Sequence, residues 1–193
     1  MALPRSYAIA VTAAMSALAI VLALFRVEFP FYPLTFLKFD LAELPSVLTL
    51  ALVGPKWSYL CAVMHTFGLL ARGSDPLGAS MKFLAVASML AGLHVAKRRW
   101  RYAIAIATAA RVAAMSLANF AVLGFLFPHW LTFTQRLLNA AGIPVKGWMD
   151  TLLVTLAFVA VFNTLHVLLS TIPSVAIARR VQRVLGSKGQ GGQ

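Results

Sequence analysis

The stretch Phe29-Pro30-Phe31-Tyr32-Pro33-Leu34-Thr35-Phe36-Leu37-Lys38-Phe39-Asp40-Leu41-Ala42-Glu43-Leu44-Pro45 separates two apolar runs of membrane-spanning quality. Its three prolines deny it a continuous helix, because each removes a backbone donor and pushes the preceding residue toward extended geometry. Its five aromatics make it too apolar to lie bare in water, and Lys38, Asp40 and Glu43 are set among them. A structured loop at membrane depth, closing over a small molecule in a pocket completed by helices, reconciles these properties.

The rest of the chain agrees with a membrane setting. Of 193 residues, 61% are hydrophobic and 11% charged, and mean hydropathy is +0.84. This composition lies outside that of soluble domains and points to an all-α, multi-pass membrane protein in contact with lipid. The length suits six transmembrane helices of about 20 residues each. The net charge of +12 sits at the ends of apolar runs, so it reads as membrane topology; without a basic helix interleaved with aromatics, no nucleic-acid partner is expected. The single Cys61 excludes an internal disulfide and a cysteine metal cluster.

Working outward, the first helix is expected from about Pro4 to Phe25, with Pro4 tolerated in its first turn. Ala10 and Ala14, with Ala13 and Ala17, recur four apart and make a flat face that another helix can approach closely. Ordinary packing within the chain is the alternative use of that face. Leu41 to Val53 gives a helix too short to span, which begins at mid-depth with the loop filling the missing length. Further helices follow from Lys56 or Trp57 to Ala71, Leu77 to Ala96, Tyr102 to Phe127, and Trp148 past Pro173 to about Leu185. A short amphipathic helix over Thr132 to Ala141 lies in the second long loop, with Leu131, Phe133, Leu137 and Leu138 toward lipid or protein. Residues 186–193 read as a disordered tail.

Six spans put both termini on one side. That side receives Arg5, Lys56, Lys97, Arg98, Arg99, Arg101, Arg179, Arg180, Arg183 and Lys188, whereas Arg26, Lys38, Arg72, Lys82, Arg136 and Lys146 are scattered over the other. The positive-inside rule therefore predicts cytoplasmic termini and makes the loop between helices 1 and 2 extracellular.

Polar groups inside a membrane need partners or a purpose. Asn119 in the fifth helix and Asn163, Thr164 and His166 in the sixth lie at a similar depth below the outer loops. An asparagine amide offers a donor and an acceptor side by side, which matches the imide edge of a heterocycle. Structural helix-to-helix bonding is the competing use. Arg111 lies too deep to snorkel, so it faces the bundle or a partner, while Lys82 lies one turn in and reaches toward the headgroups. The five acids, Glu28, Asp40, Glu43, Asp75 and Asp150, form no general acid/base pair, and no nucleophile elbow or phosphate-binding glycine loop occurs. The histidines have no paired metal-ligand spacing. No catalysis, metal or cofactor is expected.

The run Phe29-Pro30 through Phe36-Leu37-Lys38-Phe39-Asp40, then Leu44-Pro45 and Gly54-Pro55, resembles the first loop and second helix of riboflavin-specific S components of energy-coupling factor (ECF) transporters. The alanine-rich first helix, Asn119 with Phe127-Pro128, and Phe162-Asn163-Thr164-Leu165-His166 extend the resemblance from about Ala8 to Pro173. His166 stands where that family is expected to carry lysine.

The resemblance implies a single six-helix substrate-binding domain over residues 1–185 with a cytoplasmic tail over 186–193, in the cell membrane. It implies a vitamin-binding subunit that captures riboflavin outside and works with a transmembrane coupling subunit and two cytoplasmic ATPases. Phe36, Leu37, Phe39 and Phe83 would hold the dimethylbenzene end, while Asn119, Asn163 and Thr164 would bond the imide. Asp40 or loop backbone would meet the ribityl chain, although Asp40 is equally placed to cap the second helix. Lys38 and His166 complete the implied site, and Ala10, Ala13, Ala14 and Ala17 would dock the coupling subunit. The same fold serving another vitamin, or an intramembrane enzyme, is the alternative.

Overall fold

The structure, a computed structural model, describes residues 4–96 and 99–188. Lys97 and Arg98 lie outside the described residues, as do residues 189–193 of the tail expected over 186–193, whose first three residues are helical.

The elements run α1 (Arg5–Leu24), β1 (Glu28–Pro30), β2 (Lys38–Asp40), a 3-10 turn (Leu41–Glu43), α2 (Leu44–Leu52), α3 (Pro55–Ala71), α4 (Pro76–Val95), α5 (Trp100–Ala121), a π-helical turn (Val122–Leu126), α6 (Trp130–Ala140) and α7 (Gly147–Lys188). α1, α4, α5 with its π turn, and α7 are each long and apolar enough to cross a membrane alone. α2 has 9 residues and α3 has 17, so α2 is the short helix that the proline-rich stretch precedes. α7 runs three residues past the expected end at Leu185. At 42 residues and about 1.5 Å per residue it is roughly 63 Å long, about twice the hydrocarbon thickness of a bilayer.

Local chemistry explains the boundaries. Proline occupies the first turn of α2, α3 and α4, where its missing N–H has no helical partner to lose. Gly54, at φ 119°, makes the turn into α3 that a side chain would resist. Asp75 caps α4 by accepting a 2.7 Å hydrogen bond from the Gly78 N–H.

The proline-rich stretch folds as an antiparallel hairpin, with Glu28 opposite Asp40, Phe29 opposite Phe39 and Pro30 opposite Lys38. Its irregular tip contains a cis Tyr32–Pro33 peptide. The sequence predicts a loop here and not strand pairing, because two three-residue strands leave no run of alternating residues long enough to read.

Helices approach closely where side chains are small. A Cβ on Gly92 would collide with the Ala107 backbone between α4 and α5, and one on Gly68 would lie 3.2 Å from the Ile20 Cα between α1 and α3. The main core joins Val47, Leu50, Ala62, Val86, Met89, Leu90, Leu93, Ala103, Ala107 and Val167. α1 buries Ala8, Thr12, Ser16, Ala19 and Ala23. Ala10, Ala13, Ala14 and Ala17 all lie on its exposed face, so packing within this chain is not their use. The outer surface is apolar, with Leu117, Leu153, Leu169 and Ile172 exposed, as expected where lipid is the solvent.

Candidate ligand-binding cavity

A cavity of about 710 Å³ opens beneath the hairpin, between α4, α5, α6 and α7. Its lining is mostly apolar and aromatic: Phe36 and Leu37 from the hairpin tip, Met81 and Ala85 from α4, Met115 from α5, Leu123 from the π turn, Trp130 and Phe133 from α6, and Phe162 from α7. Set among these are Asp40, Lys82, Arg111, Asn119 and Asn163, and the mouth carries Glu28, Lys38, Arg72 and Asp75. Such a volume, mostly apolar with a few convergent polar groups, suits a vitamin-sized molecule.

The polar floor is an ion network drawn from five segments. Glu43 is fully buried and pairs with Arg111 through both oxygens, Nη1 to Oε2 at 2.6 Å and Nη2 to Oε1 at 3.0 Å. Lys82 Nζ approaches Glu43 Oε1 at 2.9 Å and Asp40 Oδ2 at 3.6 Å. Two carboxylates thus meet two cations, and the charges cancel where solvation is poor. Asp40 Oδ1 accepts a 2.8 Å bond from the Ala42 N–H, which caps the 3-10 turn, while Oδ2 lies 3.4 Å from His65 Nε2 without hydrogen-bond alignment. Arg111 Nη2 is 3.1 Å from His166 Nδ1. A guanidinium only donates, so Nδ1 accepts, while Nε2 lies 3.3 Å from each of Glu43 Oε1, the Asp40 carbonyl and the Asp40 backbone N–H.

Both asparagines line the cavity. Asn119 donates from Nδ2 to the Met115 carbonyl at 2.8 Å, and Asn163 donates to the Val159 carbonyl at 2.8 Å while its Oδ1 accepts from Arg111 Nε at 2.9 Å. At the mouth, Lys38 Nζ donates to Glu28 Oε1 at 2.7 Å and Arg72 Nη2 to Glu28 Oε2 at 3.0 Å. Arg72 also donates to the Ala23 carbonyl at 2.9 Å, so the clasp joins the hairpin to the end of α1 and the start of the α3–α4 turn. Burial pushes the Glu28 carboxyl up, but the hydrogen bonds from Lys38 and Arg72 outweigh it and hold the carboxyl below its ordinary value.

Of the residues singled out in the sequence, Phe36, Leu37, Lys38, Asp40, Asn119 and Asn163 line one cavity. Phe39, Phe83, Thr164 and His166 are not among its lining. Phe39 packs at a tilt against Phe162, with ring centroids 4.8 Å apart, and pins the hairpin to α7. Phe83 packs against the main core on another side of α4. Thr164 donates to the Ala160 carbonyl of its own helix at 2.9 Å. His166 belongs to the ion network beneath the cavity.

Lys82 points inward to Glu43 and Asp40 rather than out to the headgroups, because two buried carboxylates draw it more strongly than an interface a turn away. Glu43, His65, Arg72 and the α6 wall carried no local signal of their roles. Asp40 and Glu43 lie three residues apart and meet Lys82 and Arg111 only after folding.

No family model matches the sequence, and no curated protein is similar to it. The solved S component of a bacterial ECF transporter superposes with a TM-score of 0.72 at 21% identity, over 94% of this chain and 99% of that one. The chain has the S-component fold. The likeness spans nearly the whole of both chains. A multi-pass helical membrane architecture follows from that likeness and from the apolar spans.

Proposed function

We propose that this chain is the substrate-binding subunit of an ECF-type importer and that riboflavin is its ligand. The observation that carries the proposal is the cavity under the hairpin, whose lining joins aromatic and aliphatic side chains with two asparagine amides. An isoalloxazine has both kinds of surface, and its dimethylbenzene end would meet Phe36 and Leu37 and its imide edge Asn119 and Asn163. The ribityl chain would extend toward Asp40, Lys38 and the mouth. Phe39, Phe83, Thr164 and His166 would then act from behind the wall by packing, or through the ion network.

As a capture subunit the chain carries out no chemistry of its own. It would take up the vitamin outside the cell with both termini in the cytoplasm, and deliver it inward with a transmembrane coupling subunit and two ATPases. The exposed Ala10, Ala13, Ala14 and Ala17 face of α1 would seat the coupling subunit, since small side chains let a partner helix come close in lipid.

Riboflavin fluorescence, titrated with detergent-solubilised protein stripped of ligand, tests the assignment. Saturable quenching at submicromolar riboflavin is expected. A folded sample that quenches nothing would remove the flavin and leave the same fold serving another vitamin, to be found by screening.

A further inference from the structure

We infer that Arg111 is a positioning residue that fixes which way the Asn163 amide faces, and so sets the donor–acceptor polarity the cavity presents to its ligand. The inference builds on the proposed binding site and uses riboflavin as its probe.

An asparagine amide has two faces of opposite sense, and turning it over exchanges a donor for an acceptor. At Asn163 both orientations are not available. The Val159 carbonyl can only accept, and it lies 2.8 Å from Nδ2. The Arg111 guanidinium can only donate, and its Nε lies 2.9 Å from Oδ1. A flipped amide would put N–H against N–H on one side and oxygen against oxygen on the other. One Nδ2 hydrogen is therefore left over, on a residue that lines the cavity.

Arg111 can do this because it is itself held. Glu43 takes both of its Nη nitrogens, leaving Nε for Asn163. At Asn119 the only restraint among the described residues is the Met115 carbonyl on Nδ2, and Oδ1 has no partner there. The cavity wall thus offers a locked donor at Asn163 and a free acceptor at Asn119. The ligand chemistry it suits is a planar ring whose edge carries a carbonyl beside an N–H, as an imide or lactam does.

Arg111→Lys separates positioning from charge. A single ammonium keeps the cation beside Glu43 but lacks the planar fork needed to reach Asn163 as well. Riboflavin affinity is expected to fall at least about fivefold, as for one lost buried hydrogen bond. The loss should vanish in an Asn163→Ala background, because no amide remains to be positioned. A ligand-free readout accompanies this: exchange with water of the Asn163 side-chain amide, assigned in ¹⁵N spectra by its absence from Asn163→Ala. That exchange should quicken at least about tenfold in Arg111→Lys. Equal losses in both backgrounds, or unchanged amide exchange, would overturn the inference. Wild-type protein that binds no riboflavin would overturn the flavin reading instead, and amide exchange would still decide the role of Arg111. If Arg111→Lys does not fold, Asn163→Asp keeps an oxygen for Arg111 and removes the donor. It should bind riboflavin at least about fivefold more weakly, and wild-type affinity in that variant would sink the inference.

Discussion

Glu43 and Arg111, 68 positions apart, meet through two hydrogen bonds of 2.6 and 3.0 Å in a place neither side chain shares with solvent. The pair ties the segment leaving the hairpin to the middle of α5, and Lys82 and His166 close around it. Removing Glu43 leaves Arg111 buried without an anion, which typically costs about 3–5 kcal/mol, and removing Arg111 leaves Glu43 buried with Lys82 as its remaining cation. Arg111→Ala and Glu43→Ala should each lower the melting temperature in detergent sharply. The double replacement by methionine should recover much of the loss, and a double variant no better than the singles would show that the pair is not the source of the cost.

The two asparagines should matter for the ligand. Asn119→Ala and Asn163→Ala each lose one buried hydrogen bond to ligand, worth about 1–3 kcal/mol, which corresponds to roughly 5- to 150-fold in affinity. Titration of folded variants with riboflavin measures this. Wild-type affinity in both would mean that the amides serve only the protein, through Met115, Val159 and Arg111.

The clasp of Glu28 with Lys38 and Arg72 should govern how readily the hairpin lifts from the mouth. Its carboxyl is held below the ordinary value of 4.5 in the closed hairpin. The stabilisation is therefore present above that value and lost as pH falls through the lower, closed-state value. Ligand release should be indifferent to pH between about 7 and 5 and should quicken only in more acid solution. Glu28→Gln should release ligand faster at neutral pH and lose that acid response. Stopped-flow dissociation from reconstituted protein reads both effects, and an acid response that survives in Glu28→Gln would assign it to another group.

Bulk on the exposed face of α1 should separate binding from assembly. Ala13→Leu with Ala17→Leu fills the face on which a partner helix would rest but touches no cavity residue. Riboflavin titration should be unchanged, while copurification with a coupling subunit should be lost. Retained copurification would move the docking surface elsewhere.

Much was legible before folding because a bilayer constrains a chain so severely. Long apolar runs must become helices, since no water is available to satisfy an open backbone. α1, α4, α5 and α7 therefore lie close to where hydropathy and proline place them. The amphipathic α6 and the brevity of α2 were readable for the same reason. Phe36, Leu37, Asn119 and Asn163 could be chosen because aromatic residues in a proline-rich loop and amides in apolar helices are rare enough to stand out.

What composition and spacing could not supply was the direction of each side chain once the helices had packed. Lys82 turns inward only because Asp40 and Glu43 have been brought against α4, and Arg111 finds Glu43 and Asn163 across 68 and 52 positions. Phe83 and Thr164 sit at plausible depth yet lie outside the cavity lining. Element type and depth follow from local chemistry and the solvent, whereas pairing of charges and the lining of a cavity depend on helix rotation, which is set by contacts between residues far apart in the chain.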